Sequence, residues 1–201
     1  MRTSGVIFDA TTHTYTAGGV VLPSVTQVLP RKDFFVDAER LEECRQEGKI
    51  NHAIVQQYFK DGDTMGMPLL ESLRRFIAEH PELGRFVGSE VMLASRFRFA
   101  GTADMLFENG VVDLKRTIGD RRIHALQTEG YAILAEENGL INRTKIRIIL
   151  TIDDDGKYKA VPVWNELARP VFFSCVKRWW AKDEQQKQTI DDVISKYMKI
   201  A

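Results

Sequence analysis

The stretch Gly101-Thr102-Ala103-Asp104-Met105-Leu106-Phe107-Glu108-Asn109-Gly110-Val111-Val112-Asp113-Leu114-Lys115 constrains this chain more than any other. Two β-prone segments flank Asn109-Gly110, a preferred two-residue loop for a β-hairpin. With those residues as the loop, Glu108 pairs with Val111, Phe107 with Val112, Leu106 with Asp113 and Asp104 with Lys115. Side chains alternate along a strand, so Met105, Phe107, Val112 and Leu114 share an apolar face while Asp104, Asp113 and Lys115 share the other. The expectation is a half-buried hairpin whose core face and polar face separate cleanly. A slip of one residue would split the trio across the two faces.

Two carboxylates on neighbouring strands suit a hard divalent cation, because magnesium takes oxygen ligands and keeps waters that a substrate phosphate can displace. A lysine beside them can orient or deprotonate an attacking water, or stabilise charge developing on the phosphate. The same trio also fits the wet side of an ordinary hairpin. Its surroundings therefore carry the argument.

Downstream, Asp120 is placed to cap a helix that runs to Glu137 and stops at Asn138-Gly139. His124, Gln127 and Tyr131 fall on one stripe of it, facing either the metal centre or solvent, and Leu126, Gly130, Ile133 and Leu134 are expected to pack on the sheet. Upstream, Leu41, Gly48, Val55 and Phe59 recur at helical spacing over 36–59, closed by Asp61-Gly62-Asp63. His52 lies on the face with Gly48 and Val55, as a core residue or as an imidazole completing a carboxylate shell. Glu90, ahead of Val91 and Met92 on a strand, points at the same centre or into water.

The remaining pattern is a small hairpin over 6–22 turning at Gly18-Gly19, a helix over 69–79, and β-like chain from Phe86 through Val91, Phe97 and Phe99. Strands over 145–152 and 157–163 follow, joined by Asp153-Asp154-Asp155-Gly156. That run reads as a tight turn, since it lacks the ligand pattern and closing Glu of a calcium loop. Helices over 165–182 and 189–199 end the chain. This order predicts an α/β fold, one domain over 1–201 with a central mixed sheet flanked by helices.

The ordered series Gly48 to His52, Glu90, Gly101 to Asp104, Asp113 to Lys115 and Gln127 to Tyr131 resembles the PD-(D/E)XK nuclease superfamily, in its RecB-like branch of phage exonucleases. His13-Thr14-Tyr15 and Pro23-Ser24-Val25-Thr26 resemble the front end of phage-type members. The resemblance covers about His13 to Tyr131 and implies a restriction-endonuclease-like core. It implies that His52, Asp104, Asp113 and the Leu114 carbonyl bind Mg2+ or Mn2+, that Lys115 acts on the water, and that Glu90 belongs to the catalytic set. Gln127, Tyr131 and Arg116 would contact DNA or brace the site. Arg116 departs from relatives that place threonine directly after the lysine.

The implied activity is metal-dependent hydrolysis of DNA, as an exonuclease in phage or prophage recombination or repair, beside a single-strand annealing protein. No base-reading element is identified. A rival reading is an inactive nuclease-like module that binds DNA or protein, and a third is a structural protein whose carboxylates only solvate the hairpin.

Composition excludes several alternatives. Cys44 and Cys175 are the only cysteines, which rules out a four-cysteine iron–sulfur cluster within the chain and leaves two buried small hydrophobes as the simplest account. There is no GxxxxGK(S/T) phosphate loop. No apolar run is long enough to span a bilayer and 1–10 lacks a secretory pattern, so a cytoplasmic protein with no membrane partner is expected. Lys plus Arg and Asp plus Glu are 28 each. Any nucleic-acid footprint must therefore be local, with Arg74, Arg75, Arg96, Arg98, Arg116, Arg121, Arg122, Lys177 and Arg178 as candidates, although such residues also make an ordinary solvated face.

Overall fold

The computed structural model describes residues 5–12, 14–30, 38–62, 66–153 and 155–181, with side chains in the first long helix described from residue 46. His13, the side chains of Leu41 and Cys44, Asp63, Asp154 and the expected helix over 189–199 lie outside the described residues.

The chain opens with three short strands, β1 (Val6–Asp9), β2 (Thr14–Ala17) and β3 (Val20–Leu22), joined antiparallel in that order. The expected single hairpin is thus a meander, and Gly18-Gly19, both at positive φ, turn between β2 and β3. A four-residue helix, α1 (Val25–Val28), follows. Ser24 and Gln27 form a reciprocal capping box there, worth about 1 kcal/mol for the cap.

Helices α2 (Ala38–Asp61) and α3 (Pro68–Glu79) and a short 3-10 turn (Pro81–Leu83) lead into the main sheet. Its strands are β4 (Phe86–Ala94), β5 (Ala100–Phe107), β6 (Gly110–Leu114), β7 (Ile146–Ile152) and β8 (Tyr158–Pro162), in that spatial order. Only β6 and β7 pair in parallel, bridged by α4 (Arg121–Glu137), and the other neighbours are antiparallel. The architecture is α/β with a five-stranded mixed sheet flanked by helices and a separate N-terminal three-stranded sheet. Helix α5 (Ala168–Ala181) closes the described chain. Phe97 sits in the turn between β4 and β5, not in a strand as expected. Among the described residues, no helix is long and apolar enough to cross a membrane.

Both faces of the sheet are covered, which corrects the half-buried expectation. Met105, Phe107, Val112, Leu114, Ile148 and Leu150 pack with Val55, Leu70, Leu73 and Phe76 of α2 and α3. Leu106, Val111, Ile149 and Val161 pack under α4 with Val25, Leu126, Leu134 and Phe172. The face bearing Asp104 and Asp113 is therefore a second core, because a crossover helix between parallel strands lies on the sheet and seals that side from water.

The hairpin register also differs. Met105 pairs with Val112, Leu106 with Val111 and Phe107 with Gly110, so Glu108 and Asn109 form the turn. This is a shift of two residues from the Asn109-Gly110 register, and since strand faces repeat every two residues the trio stays on one face. The reason is tertiary. A Cβ on Gly110 would lie 2.7 Å from Leu83 Cδ2 and 3.1 Å from the Ile146 carbonyl, so glycine is needed for close approach of the 3-10 turn and β7. Asn109 is held by them too: its amide donates to Leu83 O at 3.0 Å, and its carbonyl accepts from Lys145 and Ile146.

Candidate metal centre

Neither Glu108 nor Asn109 has positive φ. Two-residue turns of that kind splay their strands, because their twist opposes that of the hairpin. Strands β5 and β6 pair from the turn as far as Met105 and Val112. Beyond that pair the Leu114 amide donates to Asp104 Oδ2 at 2.7 Å, so a side chain takes up a hydrogen bond that a longer ladder would have made. The resemblance implied the Leu114 carbonyl as a ligand; what the structure ties to the site is its N–H.

Opposite Asp104, β4 carries Glu90 between the paired residues Ser89 and Val91. Glu90 has φ 50, a conformation uncommon for a non-glycine residue and one that clusters at functional sites. Its Oε1 lies 2.7 Å from His52 Nδ1, and His52 Nδ1 lies 3.6 Å from Asp104 Oδ1. His52 arrives from α2, which contacts the edge strand β4. One ligand atom from each of His52, Glu90 and Asp104 falls within 4.8 Å of the others. Glu90, the residue whose place the sequence left most open, thus sits at the centre.

Asp113 is 0% exposed and lies beside this group. Its Oδ2 contacts Lys115 Nζ at 2.7 Å, and its Oδ1 accepts from Gln127 Nε2 at 3.3 Å. Gln127 Nε2 also donates to Tyr131 Oη at 3.2 Å. Gln127 and Tyr131 of the α4 stripe therefore lie at the site and are buried; they do not face solvent. Gly130 faces α5 and α1, with Phe172 and Val25 within 2.8 Å of where a Cβ would stand, not the sheet. Gly101 has a related role. A Cβ there would meet Tyr131 Cε1 and Val25 Cγ2, each at 3.0 Å, so the glycine makes room for the tyrosine ring. His124 stays outside the ligand group: its Nε2 accepts from the Gly119 amide at 3.2 Å in the loop after Lys115, and burial lowers its pKa. Arg116 pairs with Glu47 of α2 at 3.3 Å.

Charge follows from this crowding. Burial, and then the Asp113 charge, push the Asp104 carboxyl up to about 7. Burial opposes protonation of His52, but the Glu90 hydrogen bond and the Asp104 charge outweigh it and hold the imidazole up to about 9. Burial likewise works against the Lys115 ammonium, and Asp113 with Asp104 overcomes it, so its pKa rises. Burial and the nearby carboxylates keep Tyr131 a neutral phenol.

The resemblance named Tyr15 without giving it a place at the site. Tyr15 Oη of β2 is 2.9 Å from Thr102 Oγ1, and burial leads the causes that raise its pKa, with the Glu90 and Asp104 charges among them. Thr102 was legible, since it shares strand parity with Asp104. The tyrosine's place was not, because 87 residues separate the partners.

The donor set is carboxylate oxygen with one imidazole, and a carboxyl whose pKa burial and then the Asp113 charge push upward is what a divalent cation would relieve. The residues fit magnesium or manganese on those grounds. No protein-family model matches the chain, and no curated protein matches it.

Proposed function

We propose that the chain is a metal-dependent deoxyribonuclease with a restriction-endonuclease-like core, working as an exonuclease. The observation that carries the reading is the convergence of Glu90, Asp104 and Asp113 with His52 and Lys115 where β5 and β6 part company. Asp104, Glu90, His52 and, after release from Lys115, Asp113 would hold the cation. Magnesium or manganese bound there supplies charge neutralisation at the scissile phosphate and a more acidic water. Lys115, kept charged by its acidic neighbours, faces the phosphate as an electrostatic partner and is poorly suited to abstract a proton. Gln127 and Tyr131 keep Asp113 oriented, as a hydrogen-bonded carboxylate on a rigid helix and strand pair. Glu90 orients the imidazole of His52.

The test is incubation of the purified chain with linear, nicked and circular DNA, with magnesium, manganese or chelator. Degradation of linear DNA that requires metal is expected. A thermal scan should show stabilisation of about 2.7 kcal/mol at a metal concentration of about a hundred times Kd. Folded protein that binds DNA without cutting any substrate in either metal would replace this reading with the binding module.

A further inference from the structure

The turn joining β4 to β5 lies at the far end of the two strands that carry Glu90 and Asp104. Ser95 N donates to Phe99 O at 2.8 Å and Arg98 N to Ser95 O at 3.0 Å. Arg98 has φ 65, at a position where three-residue hairpin loops favour glycine. Its guanidinium lies 3.9 Å from the Trp180 ring centroid, and Trp180 Nε1 donates to the Arg98 carbonyl at 2.9 Å. Phe97 meets Phe173 edge to face at 4.8 Å, yet is 43% exposed. Arg96 lies 5.0 Å above the Phe97 ring. Phe173, Lys177 and Trp180 fall on one stripe of α5.

Of the three cations here, Arg96 pairs with Glu137 at 2.9 Å, Arg98 lies on an aromatic face, and Lys177 has no ion pair among the described residues. A chain with balanced charge thus carries Arg96 over an exposed aromatic ring, Arg98 in the same turn, and Lys177 one helical turn along α5 from the Phe173 that the ring meets.

We propose that the β4–β5 turn and the adjoining α5 stripe form a docking surface for the single-stranded end of the DNA that the centre cuts. The cations match a phosphate backbone. The exposed ring matches an unpaired base, whose π-face a duplex keeps inside its stack. Glu90 and Arg96 are six residues apart on one strand and turn, about 20 Å at the rise of a β-strand. The same two antiparallel strands thus hold the turn and the carboxylates at a fixed spacing. The inference takes its substrate from the nuclease reading, but docking itself needs no cleavage.

The experiment is fluorescence polarisation of the full chain, in chelator, with a labelled oligothymidylate and a blunt duplex of equal length over a salt series. The single strand should bind more tightly. Phe97→Ala should weaken strand binding by about 5-fold or more. Arg98→Gly, whose backbone geometry suits glycine and spares the fold, and Lys177→Gln should each flatten the log affinity against log salt slope by about 0.7. Lys159→Gln on β8, at the opposite sheet edge, should change neither quantity. Unchanged strand affinity and slope in all three surface variants would overturn the proposal, as would equal losses for strand and duplex. Strand binding that depends on these residues in a protein that never cuts DNA sinks the nuclease reading and keeps the docking surface. Metal-dependent cleavage with indifferent surface variants does the reverse.

Discussion

Helix α4 presents polar groups to two clusters from sides roughly half a turn apart. On one side Glu129 contacts Arg147 Nη2 at 2.6 Å and Arg169 Nε at 2.6 Å, and Glu136 takes Arg169 Nη2 at 2.8 Å and the Thr144 amide at 2.8 Å. Two carboxylates meet two guanidiniums, and Glu129 and Arg147 are 2% and 4% exposed. On the other side Gln127 and Tyr131 approach a group in which Glu90, Asp104 and Asp113 face Lys115 and His52. Balanced pairs lock α4, β7 and α5 together. At the second cluster burial, and then the Asp113 charge, leave the Asp104 carboxyl with a raised pKa, which the proposed cation would relieve.

That contrast predicts opposite responses to substitution. Asp113→Asn should cut DNA hydrolysis at least about a thousandfold, near 4 kcal/mol of barrier. Its melting temperature should fall by less than that of Glu129→Ala, because the asparagine carbonyl oxygen can still accept from Lys115. A variant that unfolds would place Asp113 among the locking charges. Glu129→Ala should do the converse, costing about 3 kcal/mol in urea unfolding because it strands a buried Arg147. Its folded molecules should keep their metal response.

A smaller effect separates the clusters by pH in chelator. With its pKa raised, Asp104 stays protonated in the folded chain while the unfolded chain has released that proton, so stability falls as pH rises from 3.8 to about 7. His52 contributes stability that is full below 6.5 and lost as pH passes about 9. Melting temperature should thus decline across the whole span, and Asp104→Asn should flatten its lower part. Magnesium should reverse the slope near neutrality, since its ligands bind deprotonated. A parent profile that is flat in chelator would remove the electrostatic half of the comparison.

Much of the site was legible because its rules are local. Alternation along β5 and β6 put Asp104, Asp113 and Lys115 on one face, and a register two residues away left that result intact. Asp120 caps α4 where expected, donating no proton but accepting the Arg122 amide at 2.9 Å, and the helix ends at Glu137. Spacing of four placed Gln127 and Tyr131 together, and both reach the site.

What only the tertiary structure decided depends on segments distant in sequence meeting at short range. Gly110 serves Leu83 and Ile146 instead of the loop, which moved the turn to Glu108-Asn109 and let the strands separate beside Asp104. Burial of the acidic face came from α4 lying over it, and the place of Glu90 from a φ of 50 against His52. The sequence by itself determined which side chains share a face and where α4 begins and ends, because strand alternation and helix capping act over a few residues. The fold decided how deeply the acids are buried and which partners they meet, since desolvation and close packing depend on the whole surroundings of a group.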